Sequence, residues 1–260
     1  MTDKGIYKSL LEAHQNGHKQ LAVLIDPDGL TLSDLERQLL LAKEAGVDYF
    51  FLGGSLIWDD VLCTSADLIK EVCPDIPLLL FPGHPMQLSD KVDAVLLLCL
   101  ISGRNPDFLI GQQVVAAPYL KRLDVEVIST GYMLVGSGST TTVEYMTQTV
   151  PIPGNKPSVA ACTALAGDLL GLKLSFLDAG SGADEPVHSD VIRAVSQSTR
   201  TPTFVGGGIR KPEQALAAVQ AGADLIVVGN AFEKDPALVG EMVAAIRLEQ
   251  GALTSSSEKE

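Results

Sequence analysis

Basic residues are scarce in this chain. Lys and Arg number 19 against 32 Asp and Glu over 260 residues, a formal charge of -13, which leaves no broad surface for neutralising nucleic-acid phosphates. An anionic ligand must then be held locally, by backbone N–H groups, by a metal ion, or by a few cations such as Arg104, Lys156 and Arg210. Cysteine is equally sparse. Cys63, Cys73, Cys99 and Cys162 stand far apart, with no C-x-x-C pair and no accompanying His cluster, which speaks against a disulfide framework and a zinc site and for buried free thiols. No run approaches the ~18 apolar residues of a membrane span. The opening stretch MTDKGIYKSLLEAHQNGHKQ reads as a polar amphipathic helix without the apolar centre of a secretory signal. These absences predict a cytoplasmic protein with no transmembrane segment.

What the chain does have is a repeated design. Short apolar runs, bounded by Gly, Pro or Asp, read as buried parallel strands: Leu21 to Ile25, Asp48 to Leu52, Pro77 to Phe81, Ala94 to Leu98, Glu126 to Ser129, and three more beginning near Lys173, Pro202 and Asp224. Helical patterns follow most of them, including one capped by Ser33 that runs to about Ala45, one from Leu56 to Val72 and one from Pro106 to Leu123. Eight strands fit a closed barrel, whereas a six-strand open sheet would leave two over. The predicted fold is therefore α/β, a single (β/α)8 TIM barrel over residues 1–250 with an N-terminal helix, and a flexible polar tail over 251–260. The connection over 131–158, rich in Gly, Ser, Thr and Pro, exceeds the ~15 residues of an ordinary loop. It is either a lid with a more rigid exit at Pro151-Ile152-Pro153 or a hairpin excursion that touches no ligand.

In such a barrel the loops after the C-terminal ends of the strands carry the chemistry. Three of them are glycine turns: FLDAGSG over Phe176 to Gly182, VGGGIR over Val205 to Arg210, and VVGNAF over Val227 to Phe232. Together they make one phosphate cup, the second also placing helix N-terminal N–H groups beside the anion. The alternative is that Gly206 to Gly208 merely allow a tight strand exit. Asp178, just before the GSG turn, can orient or deprotonate a hydroxyl of the same phosphate-bearing molecule, or it can simply tie down its neighbours. Asp26 and Asp28 after the first strand and Ser55 after the second offer hard oxygen donors suited to Mg2+; DPDG is equally a common turn. His84 and His188 fall on the same face, and His84 is given no role.

LIDPDG, FLGGS, LLLFPG, LISGRNPDFLIG, STGYMLV, TTTVEY, PIPGNKP, FLDAGSGA, VGGGIR and VVGNAF, in this order and spacing, resemble the geranylgeranylglyceryl phosphate synthase family, related to the bacterial heptaprenylglyceryl phosphate synthases. The resemblance implies a (β/α)8 barrel that uses Mg2+ to transfer a prenyl group from a prenyl diphosphate to the 3-hydroxyl of sn-glycerol 1-phosphate, giving an ether lipid precursor. It implies Mg2+ at Asp26 and Ser55, and glycerol phosphate on Phe176, Leu177, Asp178, Ala179, Gly180, Ser181 and Gly182, on Gly207 and Gly208, and on Gly229 and Asn230. Asp178 would be catalytic, and the chain would form a homo-oligomer, a dimer or hexamer; Arg104 and Lys156 are, on residue type alone, candidate diphosphate contacts. Two positions depart from the family pattern Y-L-E-A-G-S-G: Phe176 lacks the Tyr hydroxyl and Asp178 is one methylene short, which predicts lower activity or an altered acceptor. The other readings open to this chain are a degenerate phosphate-binding barrel without turnover and a phosphosugar isomerase or synthase.

Overall fold

A computed structural model describes residues 4–257 except 29, 55–60, 85–86, 137, 139, 230 and 233–234. Eight parallel strands close into a barrel in sequence order: β1 Gln20–Ile25, β2 Tyr49–Leu52, β3 Leu78–Leu80, β4 Ala94–Leu100, β5 Glu126–Leu134, β6 Leu174–Asp178, β7 Thr203–Gly206 and β8 Leu225–Val228. Closure is made by β1 on β8, Leu21 opposite Ile226. The helices are α1 Ile6–Gln15, α2 Leu32–Ala45, α3 Leu62–Val72, α4 Gln112–Leu120, α5 Thr142–Thr147, α6 Pro157–Leu169, α7 Ser189–Ser196, α8 Pro212–Gln220 and α9 Leu238–Ser257. The predicted barrel is thus the observed one. α9 takes in residues 251–257 of the expected tail.

Three details differ from expectation. Thr31, not Ser33, caps α2, its hydroxyl accepting the Asp34 N–H at 3.1 Å. The helical stretch expected from Pro106 opens as a π-helical turn, Asp107–Gly111, before α4. Most consequentially, β5 runs on to Leu134, and Val135 pairs with Ile152. The connection over 131–158 therefore holds four strand residues, 131–134, and the short helix α5.

The two faces of each strand serve different layers. Outward residues such as Val23, Phe50, Leu78, Val95 and Val205 pack under the helices, while Phe51, Leu79, Leu96, Tyr132, Phe176, Phe204 and Leu225 fill the barrel. Burying each large side chain contributes about 1.5–3 kcal/mol. Phe51, Phe81, Tyr132, Phe176 and Phe204 form one aromatic cluster, with ring centroids 5.1 to 6.5 Å apart, in the offset and edge-on arrangements that aromatic quadrupoles favour.

At the N-terminal end of the barrel a carboxylate repeats. Asp48, Asp93 and Asp224 each immediately precede a strand, and each accepts the first free N–H of the strand before it: Leu21 at 2.8 Å, Leu78 at 2.8 Å and Thr203 at 2.9 Å. Strand-end amides that lack a ladder partner are satisfied in this way. At the corresponding place before β6 stands Lys173, and the acidic residue of β5, Glu126, is used differently. Its carboxylate accepts the N–H groups of Lys4, Ile6 and Tyr7 at 3.1, 2.8 and 3.0 Å. It thereby caps α1, whose own N-cap Gly5 has no side chain to do so. The far end of α1 is held by His14 Nδ1, 2.8 Å from Asp224, with Lys19 Nζ 2.9 Å from the same carboxylate. Leu10 between them is buried in the barrel-interior cluster.

This clamp has a pH dependence with a definite sign. The hydrogen bond to Asp224 raises His14 above its ordinary value of 6.5, against partial desolvation. Burial pushes Asp224 upward, but the His14 bond, the Lys19 charge and the Thr203 N–H outweigh it and leave the carboxyl below 3.8. His14 therefore contributes fully below about pH 6.5, and that contribution is lost as pH rises through its raised value. His14→Ala should cost roughly 1 kcal/mol at pH 6 and much less at pH 9. Parallel thermal melts of the two proteins measure this, and a pH-independent gap would contradict it.

Candidate active site

The C-terminal mouth of the barrel opens into a cavity of about 430 Å3. One side of it is polar: Asp26 after β1, Asp178, Ser181 and Gly182 after β6, Gly206 to Arg210 after β7, and Gly229 after β8. The other side is mainly apolar, with Leu98 and Leu100 of β4, Phe108 of the π-turn, and Val143 and Met146 of α5, and also carries Gln112, Gln113 and Thr147. A small adjoining cavity of about 40 Å3 lies among Leu88, Leu97 and Ala116 and shares His84 and Gln113 with the main one. The sequence-predicted residues Phe176, Asp178, Ser181, Gly182, Gly207, Gly208, Gly229 and Asp26 are thus gathered at one cavity. Leu177 and Ala179 are buried and belong to the outer core, so only their backbones can serve the site. Gly180 sits at the turn beside Asp178. Ser55 and Asn230 lie outside the described residues.

Asp178 ends β6. Its Oδ1 accepts the Gly180 N–H at 2.7 Å, and its Oδ2 accepts the Tyr132 hydroxyl at 2.6 Å. Burial raises its pKa, partly offset by these two hydrogen bonds. Burial and the neighbouring carboxylate push the Tyr132 phenol well above 10, so Tyr132 is a donor. A carboxylate has about four lone-pair sites, and these two bonds leave room for a further hydroxyl. Asp178 thus ties down its own turn and Tyr132.

The expected fifth strand, Glu126 to Ser129, stops short of Tyr132, so its contact with Asp178 is not legible from sequence. Gly131 looks like a strand end. In the structure a Cβ there would lie 2.9 Å from Ile101 Cδ1, so glycine serves close packing against the β4 exit. Continuing alternation through TGYMLV was the available signal. Tyr132 pairs in register with Phe176, the position where the family hydroxyl is lacking. The far edge of the Phe176 ring rests on Gly206, where a Cβ would sit 3.1 Å from Cε2.

The cup itself is built from backbone. Gly180, Gly182, Gly207 and Gly208 have φ of 93, 77, 78 and 71°, a region where an L side chain is strained. A Cβ on Gly207 would lie 2.5 Å from Asp178 Oδ1 and 2.7 Å from the Gly180 nitrogen; one on Gly208 would lie 2.5 Å from the Glu185 carbonyl oxygen. The two turns touch main chain to main chain. Thr141, the N-cap of α5, closes over them, since a Cβ on Gly180 would meet its methyl at 2.5 Å. Asn105 Nδ2 donates to Thr147 O at 2.8 Å and holds the other end of α5.

The cations named from sequence are placed otherwise than expected. The Arg104 guanidinium donates to the Ile101 and Gly103 carbonyls, and neither Arg104 nor Lys156 lines the cavity. Arg210 does line it, with its guanidinium on the Ala183 and Asp184 carbonyls. His188 caps α7, its Nδ1 accepting the Asp190 N–H.

Asp26 Oδ1 accepts the Asp28 N–H at 3.2 Å, so the DPDG turn is built by the same carboxylate that faces the cavity. Burial raises the Asp26 pKa, the Asp28 N–H opposes this, and the Asp28 charge adds to it. Gly54 supplies the space beside it, for a Cβ there would be 2.6 Å from Asp26 Oδ2. A half-buried carboxylate destabilised by a like charge, in a notch only glycine leaves open, fits a hard cation. Among the described residues no group of three His, Cys, Asp or Glu side chains could hold an ion by itself.

Fold and site together define a (β/α)8 barrel with a cup of glycine turns at its C-terminal mouth and an apolar extension to that cavity. Residues 14–248 match the PcrB family, and the chain belongs to that family. It is 48% identical over 241 residues to the geranylgeranylglyceryl phosphate synthase of Chitinophaga pinensis, covering 93% of this chain and 95% of that one. It is 41% identical over 213 residues to the enzyme of the same name from Thermococcus kodakarensis, covering 82% and 83%. The solved structure of (S)-3-O-geranylgeranylglyceryl phosphate synthase from Thermoplasma acidophilum, in complex with sn-glycerol-1-phosphate, superposes with a TM-score of 0.87 at 33% identity, covering 93% of this chain and 98% of that one. The chain is an enzyme, a prenyltransferase of the geranylgeranylglyceryl phosphate synthase-like class. No helix among the described residues is long and apolar enough to cross a membrane.

Proposed function

We propose that this barrel joins a long prenyl diphosphate, geranylgeranyl diphosphate in the first instance, to the 3-hydroxyl of sn-glycerol 1-phosphate. The observation that carries the reading is a single cavity whose polar end is the glycine cup with Asp178 and whose other end is walled by Leu98, Leu100, Phe108, Val143 and Met146. A phosphate with a short polyol fits the first part and a hydrocarbon chain the second. The phosphate lies on backbone N–H groups of the turns around Gly182, Gly207 and Gly208, with Gly229 and Asn230 completing the cup. Asp178, oriented by Tyr132 and Gly180, accepts the 3-hydroxyl proton as the hydroxyl oxygen bonds to prenyl C1 and the C1–O bond to diphosphate breaks. Phe176 forms the floor and keeps water from that carbon. Asp26 with Ser55 would hold Mg2+, which would supply the positive charge that neutralises the departing diphosphate.

The test is radiolabelled prenyl transfer by purified protein with Mg2+ and either sn-glycerol 1-phosphate or sn-glycerol 3-phosphate. Product with the 1-phosphate alone is expected. Absence of product with both, for donors of twenty and more carbons alike, would sink the reading. We further propose that residues 1–250 act as one barrel within a homo-oligomer, a dimer or hexamer, joined through α4 and α6. Val114, Val115, Tyr119 and Leu169 on these helices, which flank β5, are all more than half exposed. Sedimentation equilibrium giving a monomer mass would contradict this.

A further inference from the structure

We infer that Arg210 is a positioning residue: its guanidinium staples the turn after β6 to the turn after β7 and so sets the width of the phosphate cup. The inference rests on the acceptor-binding reading above and deepens it. Arg210 is the one Arg or Lys among the described residues that line the cavity. In a chain of charge -13 such a cation invites assignment as the phosphate's partner. Its donors point elsewhere. Nη1 donates to the Asp184 carbonyl at 2.8 Å and Nη2 to the Ala183 carbonyl, a planar fork laid across two successive peptide groups.

The fork is launched from a fixed base. Gln214 Oε1 accepts the N–H groups of Arg210 and Lys211 at 2.8 and 3.1 Å, which locks the first turn of α8. On the other side, Ala183 is buried and its N–H donates to the Gly180 carbonyl at 3.2 Å. The chain Gln214, Arg210, Ala183, Gly180 therefore links the start of α8 to the turn carrying Asp178.

The separation of the two turns needs such a link. At Gly207 the β7 turn packs against the Asp178 carboxylate and the Ala179 and Gly180 nitrogens, and at Gly208 against the main chain of Glu185 and Pro186. One ladder bond joins them at the strand ends, from the Ala179 N–H to the Gly206 carbonyl at 3.1 Å; at the glycines beyond it the contact is a few weak van der Waals pairs, while the N–H groups of both turns must converge on one anion. A drift of about 1 Å in either turn would spoil that convergence. Two hydrogen bonds from a charged group, laid across the outside of the contact, hold it.

Lys and Gln at position 210 separate a staple from a phosphate ligand. Lys keeps the charge but cannot fork onto two carbonyls; Gln removes the charge. Amide hydrogen exchange of residues 180–185 is measured without substrate, and steady-state kinetics with both substrates. The staple predicts about tenfold faster exchange in both Arg210→Lys and Arg210→Gln. It also predicts a KM for sn-glycerol 1-phosphate raised about tenfold in both, with the prenyl diphosphate KM within about twofold. Unchanged exchange together with a near-normal KM in Arg210→Lys would make Arg210 a direct ligand and overturn the staple. Faster exchange with an unchanged acceptor KM would overturn it as well, since the cup width would then not depend on it. Should neither variant fold, Gln214→Ala, which frees the base of the fork and keeps the guanidinium, is expected to raise the same exchange rates, and no rise would refute the inference. Because exchange is read on the free protein, a wild type that forms no prenyl product defeats the proposed reaction and leaves the staple to be judged separately.

Discussion

Asp178→Asn is expected to lower kcat/KM by about 10²- to 10⁴-fold while the protein still folds. The amide keeps the size and the turn geometry of the carboxylate but cannot take a proton, and losing a general base costs about that much. The pH profile sharpens this expectation. The carboxylate must be ionised to act, so the rate falls as pH falls through its pKa, which burial already holds above 3.8. The Tyr132 hydrogen bond lowers that pKa. Tyr132→Phe should therefore raise it further and move the acid limb of kcat/KM to higher pH. An acid limb that stays in place, or an Asp178→Asn variant with wild-type turnover, would leave Asp178 as a builder of the turn and nothing more. If both variants behave as expected, Tyr132 supplies on β5 a phenol that position 176 lacks on β6.

Gly207→Ala is expected to abolish measurable acceptor binding. The φ of 78° costs a non-glycine residue about 1–2 kcal/mol. The added Cβ would also sit 2.5 Å from Asp178 Oδ1 and 2.7 Å from the Gly180 nitrogen. Side-chain rotation cannot relieve a clash with main chain, so the two turns must part. Titration calorimetry with sn-glycerol 1-phosphate should show at least a hundredfold weaker binding, with only a modest drop in Tm because the barrel strands are untouched. Gly229→Ala is the informative contrast. There the Cβ would meet nothing closer than 3.6 Å, and a small effect is expected. Equal losses at both positions would argue that these glycines matter through some route other than the contact at Gly207.

The barrel was legible because its signals are local. Six of the eight apolar runs end in Gly, Pro or Asp, and such runs have few alternatives to a buried parallel sheet. The cup was legible for the same reason, since a glycine turn directly after a strand announces itself in three adjacent letters. Short-range chemistry also placed Asp26 and Asp178 correctly at the mouth. Boundaries were less secure where one residue type serves two purposes. Gly131 reads as a stop but serves close packing, and ending the fifth strand there hid both Tyr132 and the true extent of the loop over α5. Ser33 and Thr31 are both competent caps, and the chain uses Thr31.

What the sequence by itself determined, then, is the strand count, the order of the glycine turns and the residue types available to hold an anion, a metal and a proton. What only the tertiary structure decided is which groups meet. Tyr132 and Asp178 lie 46 positions apart and touch because the β5–β6 register sets Leu134 opposite Asp178. Glu126 reaches over 120 positions to cap α1. Arg210, the obvious phosphate cation in a list of residues, faces two carbonyls because α8 starts where it does. Such pairings follow from sheet register and helix placement, properties of the closed barrel as a whole, and no window of neighbouring residues contains them.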